Sequence, residues 1–379
     1  MYVIFLNWKH LRKSGFHCYL SICHLENMLS LHTCSALTKI NSAGACTVRR
    51  NLSRLSAAGR KLLKSSNNKL ALSADKVCSS ASFHSSAASN MRFVQFQSVN
   101  GGPQRLGVQL SQDGDIIDVS GVNSSIPNSL VKFLQAGPAH HEKAKRIVAQ
   151  GQSVVSLSEV KLLPPITRPD KVVCVGLNYR DHCEEQNKPV PTEPVFFSKF
   201  SSVIVGPNDD VKYPKDITKC LDWEVELAVV IGTKGKNIRQ GNSMDHVFGF
   251  TVAQDITARD WQKGHNGGQW LLGKSMDTFC PMGPCVITKE AIPDPHDLVL
   301  RSWVNGEQKQ QGNSSNLVFK IDFLVSYLSN FVTLLPGDVI LTGTPSGVGV
   351  FRKPPQYLKP GDVVESEIEG IGRLRNTIV

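Results

Sequence analysis

The sequence predicts an α+β fold that is mainly β, with a small N-terminal β unit ahead of a larger body. Short segments rich in valine and isoleucine recur between turn residues, among them KVVCVGL, VFFSKF, WEVELAVVIG, VFGFTVAQDIT, LVLRSWVNG, DVILTG and DVVESEIEG. Helical patterns are few, and strands do not alternate regularly with helices. This arrangement favours a mixed, mainly β fold over a doubly wound parallel sheet.

Three segments are predicted: a leader over residues 1–90, a small α+β unit over 91–165 and a main domain over 166–379. The small unit opens with MRFVQFQ, which alternates like a strand, and continues with a hairpin at RLGVQL and IIDVS. A helical stretch follows around residues 129–150, and the proline-rich LLPPITRP marks a linker. In the main domain, helical patterns cover residues 179–187, 258–263 and 321–331.

The leader accounts for the whole net charge of +10. It holds twelve lysines and arginines against only Glu26 and Asp75, which leaves 30 basic and 30 acidic residues in the rest of the chain. A neutral body has no long-range field that would attract phosphates. We therefore expect no nucleic-acid partner.

A basic, serine-rich leader with almost no acids is typical of a mitochondrial transit peptide, which predicts a mitochondrial matrix protein. From Asn51, the segment NLSRLSAAGRKLLK places four leucines roughly on one helical face. An ordinary disordered tail is the alternative on composition alone. The apolar opening MYVIFL is interrupted by Lys9, far short of the ~18 residues that a membrane span needs, and no other run qualifies. No membrane partner is expected.

Three carboxylates occur in two neighbouring apolar strands. Glu224 and Glu226 are two residues apart in WEVELAVV, so on a strand both side chains leave the same face, and Asp255 follows in VAQDIT. An all-oxygen set suits Mg²⁺ or Mn²⁺ better than zinc. The solvent-exposed face of an antiparallel strand would show the same alternation, and Asp222 extends it. However, acids in apolar strands need a partner that offsets desolvation, and a cation would provide it.

A histidine and a glutamate form a second candidate pair in GLNYRDHCEEQNKPVPTEP. His182 and Glu185 lie at i and i+3 of a short predicted helix, which prolines then end. A histidine held by a carboxylate can serve as a general base near neutral pH, although a solvated helix could carry the same pair by chance.

Two further segments could bind an anion. Lys274 follows a glycine in WLLGKSMDTFCPMGP, and PGDVILTGTPSGVG is a strand that opens into a glycine-rich turn with Thr344. A loop lysine and an ordinary turn are the alternatives. The turn lacks the Gly-Lys-Ser/Thr ending of a P-loop, so nucleotide binding is not predicted.

Together and in this order, these motifs resemble the fumarylacetoacetate hydrolase family. The motifs are VGLNYRDHCEE, EVELAVVIG, DITARDWQ, LLGKSMDTFCPMGP, VNGE at 304–307 and ILTGTPSGVG, and the likeness extends from Met91 to the C-terminus. The resemblance implies a mixed β-sandwich roll as the catalytic domain, and a homodimer. The family's founding hydrolase has a fourth acidic ligand further upstream that finds no match here, which puts fumarylacetoacetate in doubt as the substrate.

The same resemblance implies a role for each candidate residue. Glu224, Glu226 and Asp255 would hold Mg²⁺, with Mn²⁺ as a substitute. His182, Glu185 and Lys274 would be catalytic, the first two on a lid helix. Arg259, Gln262 and Thr344 would bind the substrate.

The expected substrates are small 2-oxo dicarboxylates or acylpyruvates. Such an acid can chelate the cation, which lowers the cost of the enolate that forms when C3 loses a proton. Tautomerisation, decarboxylation and acylpyruvate hydrolysis share this enolate, so the ligands alone do not separate them. The resemblance implies an oxaloacetate keto-enol tautomerase, with acylpyruvate hydrolase and oxaloacetate decarboxylase as alternatives. A metal-binding scaffold is the non-enzyme alternative, and it would not need the His–Glu pair.

Overall fold

The computed structural model describes residues 90–379 and, before them, three short strands. These are β1 (His17–Leu20), β2 (Ala36–Ile40) and β3 (Cys46–Arg49), which pair as an antiparallel sheet. Strands of four or five residues are too short to produce a sustained alternation, so the sequence pattern does not predict them. The rest of the predicted leader, including the amphipathic segment from Asn51, lies outside the described residues.

Residues 90–379 contain eighteen further strands and seven α-helices. The strands are β4 (Arg92–Ser98), β5 (Arg105–Gln109), β6 (Ile116–Ile117), β7 (Val154–Val155), β8 (Val160–Leu163), β9 (Val172–Gly176), β10 (Val195–Lys199), β11 (Ile204–Val205), β12 (Leu221–Asp222), β13 (Val225–Ile231), β14 (Val247–Gln254), β15 (Thr257–Ala258), β16 (Cys280–Thr288), β17 (Val299–Val304), β18 (Glu307–Asn313), β19 (Val339–Leu341), β20 (Val363–Ile368) and β21 (Gly372–Thr377). The helices are α1 (Val119–Val122), α2 (Leu130–Gln135), α3 (Pro138–Gln150), α4 (Arg180–Glu185), α5 (Arg259–Lys263), α6 (Leu271–Lys274) and α7 (Ile321–Ser329).

A twelve-stranded mixed sheet organises this region, in the order β10-β9-β19-β13-β14-β16-β4-β5-β6-β7, with β11 beside β16 and β8 beside β4. The pairs β9–β19 and β11–β16 are parallel, and the other pairs are antiparallel. A four-stranded antiparallel sheet, β18-β17-β20-β21, and a short β12–β15 ladder complete the β structure. The predicted α+β, mainly β class is confirmed.

Strand β13 is buried on both faces. Its odd-numbered residues, 225 to 231, share a hydrophobic cluster with Leu300 of the four-stranded sheet. Ala228 and Val230 point the other way and share a second cluster with Phe133 of α2. Because both faces are covered, the strand can be a continuous apolar run, and any acid placed in it is removed from water.

The strands of residues 91–165 extend the large sheet. β4 pairs with β16 through Phe93 and Val286, and it also pairs with β5 and with β8. The division at residue 165 therefore remains a prediction from composition and linker pattern. The predicted helical stretch over 129–150 consists of two helices, α2 and α3, separated by Ala136 and Gly137.

Strand β16 is the main element that the sequence pattern did not predict. It contains Pro281 and Pro284, and proline lacks the N–H that a central strand donates. The pairing of β14 with β16 shifts register between Phe250 and Val252, so Pro284 falls in the irregular stretch and needs no ladder hydrogen bond. No helix among the described residues has the length and apolar character that a membrane crossing requires.

Candidate active site

The three predicted metal-ligating carboxylates meet at the ends of β13 and β14. Glu224 immediately precedes β13, Glu226 is its second residue, and Asp255 immediately follows β14. The antiparallel pairing of Val225 with Gln254 brings these ends together. One carboxylate oxygen from each residue lies within 4.8 Å of the others, and all three side chains are buried.

Backbone contacts fix this corner. The Asp255 N–H donates to the Glu224 carbonyl at 2.9 Å, and the Glu224 N–H donates to the Gln254 side chain at 2.8 Å. Glu226 accepts the Gly343 N–H at 2.7 Å. Gly343 has a φ of +104°, a conformation that a residue with a Cβ rarely adopts, so glycine is needed to aim this amide.

Two buried lysines contact the acidic cluster. Lys274 Nζ lies 2.8 Å from Glu224 Oε2 and 2.6 Å from Asp255 Oδ2. Lys199 Nζ lies 2.8 Å from Asp255 Oδ1 and donates to the Ile256 carbonyl at 3.1 Å. Lys274 is where the sequence analysis expected it, whereas Lys199 was missed. The sequence signal that could have indicated it is a single lysine in the apolar strand VFFSKF. A charge buried in such a strand requires a partner of opposite charge.

The lysines do not neutralise the three carboxylates equally. Burial would raise the pKa of Glu224, but the charges of Lys274 and Arg259 lower it below its usual range. Burial and the charges of Asp255 and Glu224 raise the pKa of Glu226 well above its usual value. Glu226 is therefore the carboxylate whose charge is least compensated by protein groups.

The donor set fits a hard divalent cation. It consists of carboxylate oxygens alone, which Mg²⁺ and Mn²⁺ prefer, and it is small enough for one ion. A cation would also offset the uncompensated charge of Glu226. These three residues could hold a metal ion.

Arg259 connects the cluster to a neighbouring loop. Its Nη1 lies 2.6 Å from Glu224 Oε1 and donates to Gln262 at 3.0 Å, and its Nε donates to Asp222 at 2.7 Å. Asp222 also accepts the N–H groups of Gly349 and Val350. Asp222 is thus a buried anchor for Arg259, a role that its place in the acidic alternation did not indicate.

His182 and Glu185 form the predicted contact on α4. His182 Nδ1 lies 2.8 Å from Glu185 Oε2. A carboxylate only accepts hydrogen bonds, so in the neutral imidazole Nδ1 carries the proton and Nε2 holds the lone pair. Gln186 Nε2, 2.8 Å away, donates to that lone pair. His182 is buried, and its proton-accepting atom is defined by its neighbours.

Backbone N–H groups of the glycine-rich turn after β19 donate hydrogen bonds to carboxylates of the protein itself. The Gly347 N–H donates to Glu185 Oε1 at 2.8 Å, as the Gly343 N–H does to Glu226. Thr344 donates to the Val225 carbonyl at 2.9 Å and accepts from Gln310 at 2.8 Å. These contacts tie α4 to the turn, and the lid role of α4 remains a prediction.

A cavity of about 370 Å³ brings the candidates together. Seven of the nine predicted site residues line it: His182, Glu224, Glu226, Arg259, Gln262, Lys274 and Thr344. The other two, Glu185 and Asp255, contact His182 and Lys274 from outside the lining. The lining residues that the sequence analysis did not single out include Gln186, Lys188, Lys263, Trp270 and Phe351.

Comparison with known proteins identifies the family of the chain. Residues 171–379 match the family described as fumarylacetoacetate (FAA) hydrolase C-terminal. The chain belongs to the fumarylacetoacetate hydrolase family. This confirms the resemblance on which the predicted β-sandwich roll and the candidate residues were based.

Several relatives in the family cover most of the chain. It is 52% identical to a mitochondrial oxaloacetate tautomerase of Xenopus laevis, over 78% of this chain and 92% of the relative. It is 53% identical to a mitochondrial oxaloacetate tautomerase of Homo sapiens, over 76% of this chain and 92% of the relative. At this level of identity, the prediction that the chain is an enzyme of the family is confirmed.

Solved structures of the family share the fold. A fumarylacetoacetate hydrolase from Exiguobacterium antarcticum is 38% identical with a TM-score of 0.67, and the match covers 76% of this chain and 99% of that one. A maleylpyruvate hydrolase from Sphingobium sp. SYK-6, solved with manganese(II) and pyruvate, is 27% identical with a TM-score of 0.63 over the same shares.

Proposed function

We propose that this protein is a divalent-cation-dependent oxaloacetate tautomerase, which interconverts the keto and enol forms of its substrate. The observation that carries the proposal is the cavity in which Glu224 and Glu226 lie together with His182, whose Nε2 lone pair is defined by Glu185. The names of the similar mitochondrial tautomerases support the choice of reaction.

Glu224, Glu226 and Asp255 would hold the cation, with Mg²⁺ as the ion and Mn²⁺ as a substitute. When bound, it would supply Lewis-acid stabilisation of negative charge on the 2-oxo oxygen. The manganese and pyruvate in the Sphingobium hydrolase structure support this combination of a hard cation and a 2-oxo acid.

His182 would move the proton. Its Nε2 would accept a proton from C3, and the imidazolium would be stabilised by Glu185 Oε2 at 2.8 Å. The same nitrogen would then return the proton to the enol oxygen, or to C3 in the reverse direction. Gln186 occupies the lone pair in the absence of substrate and would give way to it.

The remaining candidates would bind the substrate. Lys274 spends two N–H groups on Glu224 and Asp255, which leaves a third for negative charge in the cavity. Arg259 Nη2 is buried without a hydrogen-bond partner among the described residues, so it too is available for a carboxylate. Gln262 and Thr344 line the same wall.

Acylpyruvate hydrolysis is the second candidate, because hydrolases of the family share the fold over 76% of the chain. Oxaloacetate decarboxylation uses the same groups and is the third. The test is to incubate the protein with oxaloacetate, acetylpyruvate and fumarylacetoacetate, with Mg²⁺ supplied or withdrawn, and to follow enol absorbance and pyruvate release. Mg²⁺-dependent loss of oxaloacetate enol without pyruvate release would support the proposal. Pyruvate release from acetylpyruvate as the faster reaction would replace it with the hydrolase, and no turnover at all would favour a metal-binding scaffold.

Mitochondrial matrix localisation and a homodimer belong to the same proposal. The relatives that are named mitochondrial support the first. For the second, the rings of Phe319, Phe323, Tyr327 and Phe331 form a ladder along α7, and Phe331 is 66% exposed. A second copy would cover this apolar surface, and sedimentation equilibrium would measure the assembly.

A further inference from the structure

Three cationic groups on the cavity wall keep N–H donors that no carboxylate of the described chain accepts. Lys188 and Lys263 both line the cavity, and within residues 90–379 neither makes an ion pair or a hydrogen bond to a carboxylate. Arg259 spends Nε and Nη1 on Asp222, Glu224 and Gln262, while its Nη2 is buried and lacks a partner in the described chain. A buried, unpaired guanidinium N–H costs free energy unless a ligand satisfies it.

The turn that ends α4 fixes the backbone at Lys188. Asn187 is in the left-handed region with a φ of +51°, and the Lys188 N–H donates to the Cys183 carbonyl at 3.0 Å. This six-to-one hydrogen bond after a left-handed residue is the Schellman motif. The turn therefore fixes the backbone position of Lys188 relative to the helix that carries His182.

Lys263 reaches the cavity from α5, one turn after Arg259. Its ammonium lies 4.3 Å from the centroid of the Phe351 ring, and that ring meets the His182 imidazole edge-on at 6.0 Å. The aromatic face of Phe351 attracts the Lys263 ammonium and holds it near the proposed base.

Asp222 and Glu224 pair with Arg259, whereas Lys188 and Lys263 form no ion pair within residues 90–379. Burial and the charges of Arg259 and Lys188 lower the pKa of Lys263. Asp222, the neighbouring buried acid, is already satisfied by Arg259 and by the amides of Gly349 and Val350. An anion entering from solvent would therefore find three donors at this wall.

We infer that Lys188, Lys263 and the free Nη2 of Arg259 bind the second carboxylate of a dicarboxylic 2-oxo acid, and that this wall selects dicarboxylates over 2-oxo acids with uncharged tails. The inference rests on the proposed function for the position of the first carboxylate, at the acidic cluster. It assigns substrate choice to two lysines that take no part in the proton transfer.

A pair of unreactive probes isolates this effect. Malate and 2-hydroxybutyrate share the 2-hydroxy acid end and differ in a carboxylate against a methyl group. Titration calorimetry of the full chain with Mg²⁺ should show malate binding about a hundredfold more tightly than 2-hydroxybutyrate. Lys188→Gln and Lys263→Gln should each weaken malate about tenfold, or about 1.4 kcal/mol, and leave 2-hydroxybutyrate unchanged.

Two control variants accompany these measurements. Lys132→Gln removes an exposed lysine from α2, outside the cavity lining, and should leave both affinities unchanged. Lys263→Arg keeps the charge and should retain most of the preference for malate. Thermal unfolding of each variant verifies that the fold is intact.

The outcomes separate this inference from the proposed function. If a variant that combines Lys188→Gln with Lys263→Gln keeps the wild-type preference for malate, the inference is overturned. It is also overturned if the substitutions weaken both probes equally, or if malate fails to bind the wild type. If malate selectivity depends on the lysines but oxaloacetate is not turned over, the inference stands and the proposed reaction falls. If oxaloacetate is turned over without selectivity for malate, only the inference falls.

Discussion

Replacing Glu226 with glutamine should have opposite effects on the cation-free and cation-loaded protein. The glutamine keeps the size of the side chain and an oxygen that can accept the Gly343 N–H, now 2.7 Å from Glu226 Oε2. It removes one negative charge from a buried cluster. Without a cation the change relieves repulsion, whereas with a cation it removes a ligand.

The structure sets the size of the first effect. Two unit charges 4.8 Å apart repel by about 3.5 kcal/mol at an effective dielectric constant of about 20. Lys274 and Lys199 offset part of the repulsion that Asp255 and Glu224 exert on Glu226. We therefore expect the cation-free variant to gain about 1–3 kcal/mol, with each kcal/mol raising Tm by about 2–4 °C.

The gain should depend on pH, because burial and the charges of Asp255 and Glu224 raise the pKa of Glu226. Below the ordinary value of 4.5, the carboxyl is protonated in both the folded and the unfolded state. As pH rises through the raised folded pKa, the wild type loses stability because the folded state must release a proton that it binds more tightly. The glutamine side chain has no such proton, so the advantage of the variant should grow with pH.

The assay is thermal unfolding in chelator and in excess Mg²⁺, from about pH 5 to about pH 9, which spans the range above the ordinary carboxyl pKa. A ligand at a hundredfold excess over its Kd stabilises a protein by about 2.7 kcal/mol, and the variant should lose most of this shift. Glu365→Gln, on the four-stranded sheet, is the matched control and should keep it. A Glu226→Gln variant that keeps the full Mg²⁺ shift, or that is destabilised in chelator, would refute the reasoning.

Three further predictions concern other parts of the chain. His182→Ala should slow tautomerisation and acylpyruvate cleavage by about 10²–10⁴-fold, and oxaloacetate decarboxylation much less; equal losses in parallel assays would mean that His182 shapes the pocket without acting as the base. Lys199→Met should lower the free energy of unfolding by about 3–5 kcal/mol, because it removes the buried ion-pair partner of Asp255. Urea unfolding would measure this loss, and an unchanged urea midpoint would contradict the pairing. N-terminal sequencing of protein recovered from mitochondria should start after about residue 80, and a mature chain starting at Met1 would contradict the predicted leader.

The acidic cluster could be predicted because its geometry is local. Glu224 and Glu226 share a strand face by the two-residue repeat, and Asp255 follows the next strand along the chain, which pairs with the first as neighbouring strands commonly do. The apolar flanks indicated that water would be absent. Those facts favour a shared carboxylate site, and the family resemblance decided between it and an exposed strand face with the same alternation.

Lys199 and β16 could not be predicted in the same way. Lys199 is the last residue of β10, the strand at one end of the large sheet and four positions from β14, and its contact with Asp255 depends on tertiary folding that sequence periodicity does not reveal. Pro281 and Pro284 argue against a central strand by the usual rule, and the register shift that accommodates Pro284 is not visible in the sequence. The Schellman turn that places Lys188 was likewise hidden, since its left-handed residue is Asn187 and not a glycine.

The position of β4 in the large sheet also bears on how the chain acquires its fold. β4 pairs with β5 and β8 from its own neighbourhood, but its other partner, β16, is synthesised far later, and the Met91 N–H donates to a side chain 197 residues away. Contacts of such long sequence separation form slowly, because a long loop must close first. We expect the segment from β4 to β8 to collapse first, around Phe93 and Leu106, and to wait with one strand edge open until β16 arrives. During that interval, the open edge is where a newly made chain is most exposed to aggregation.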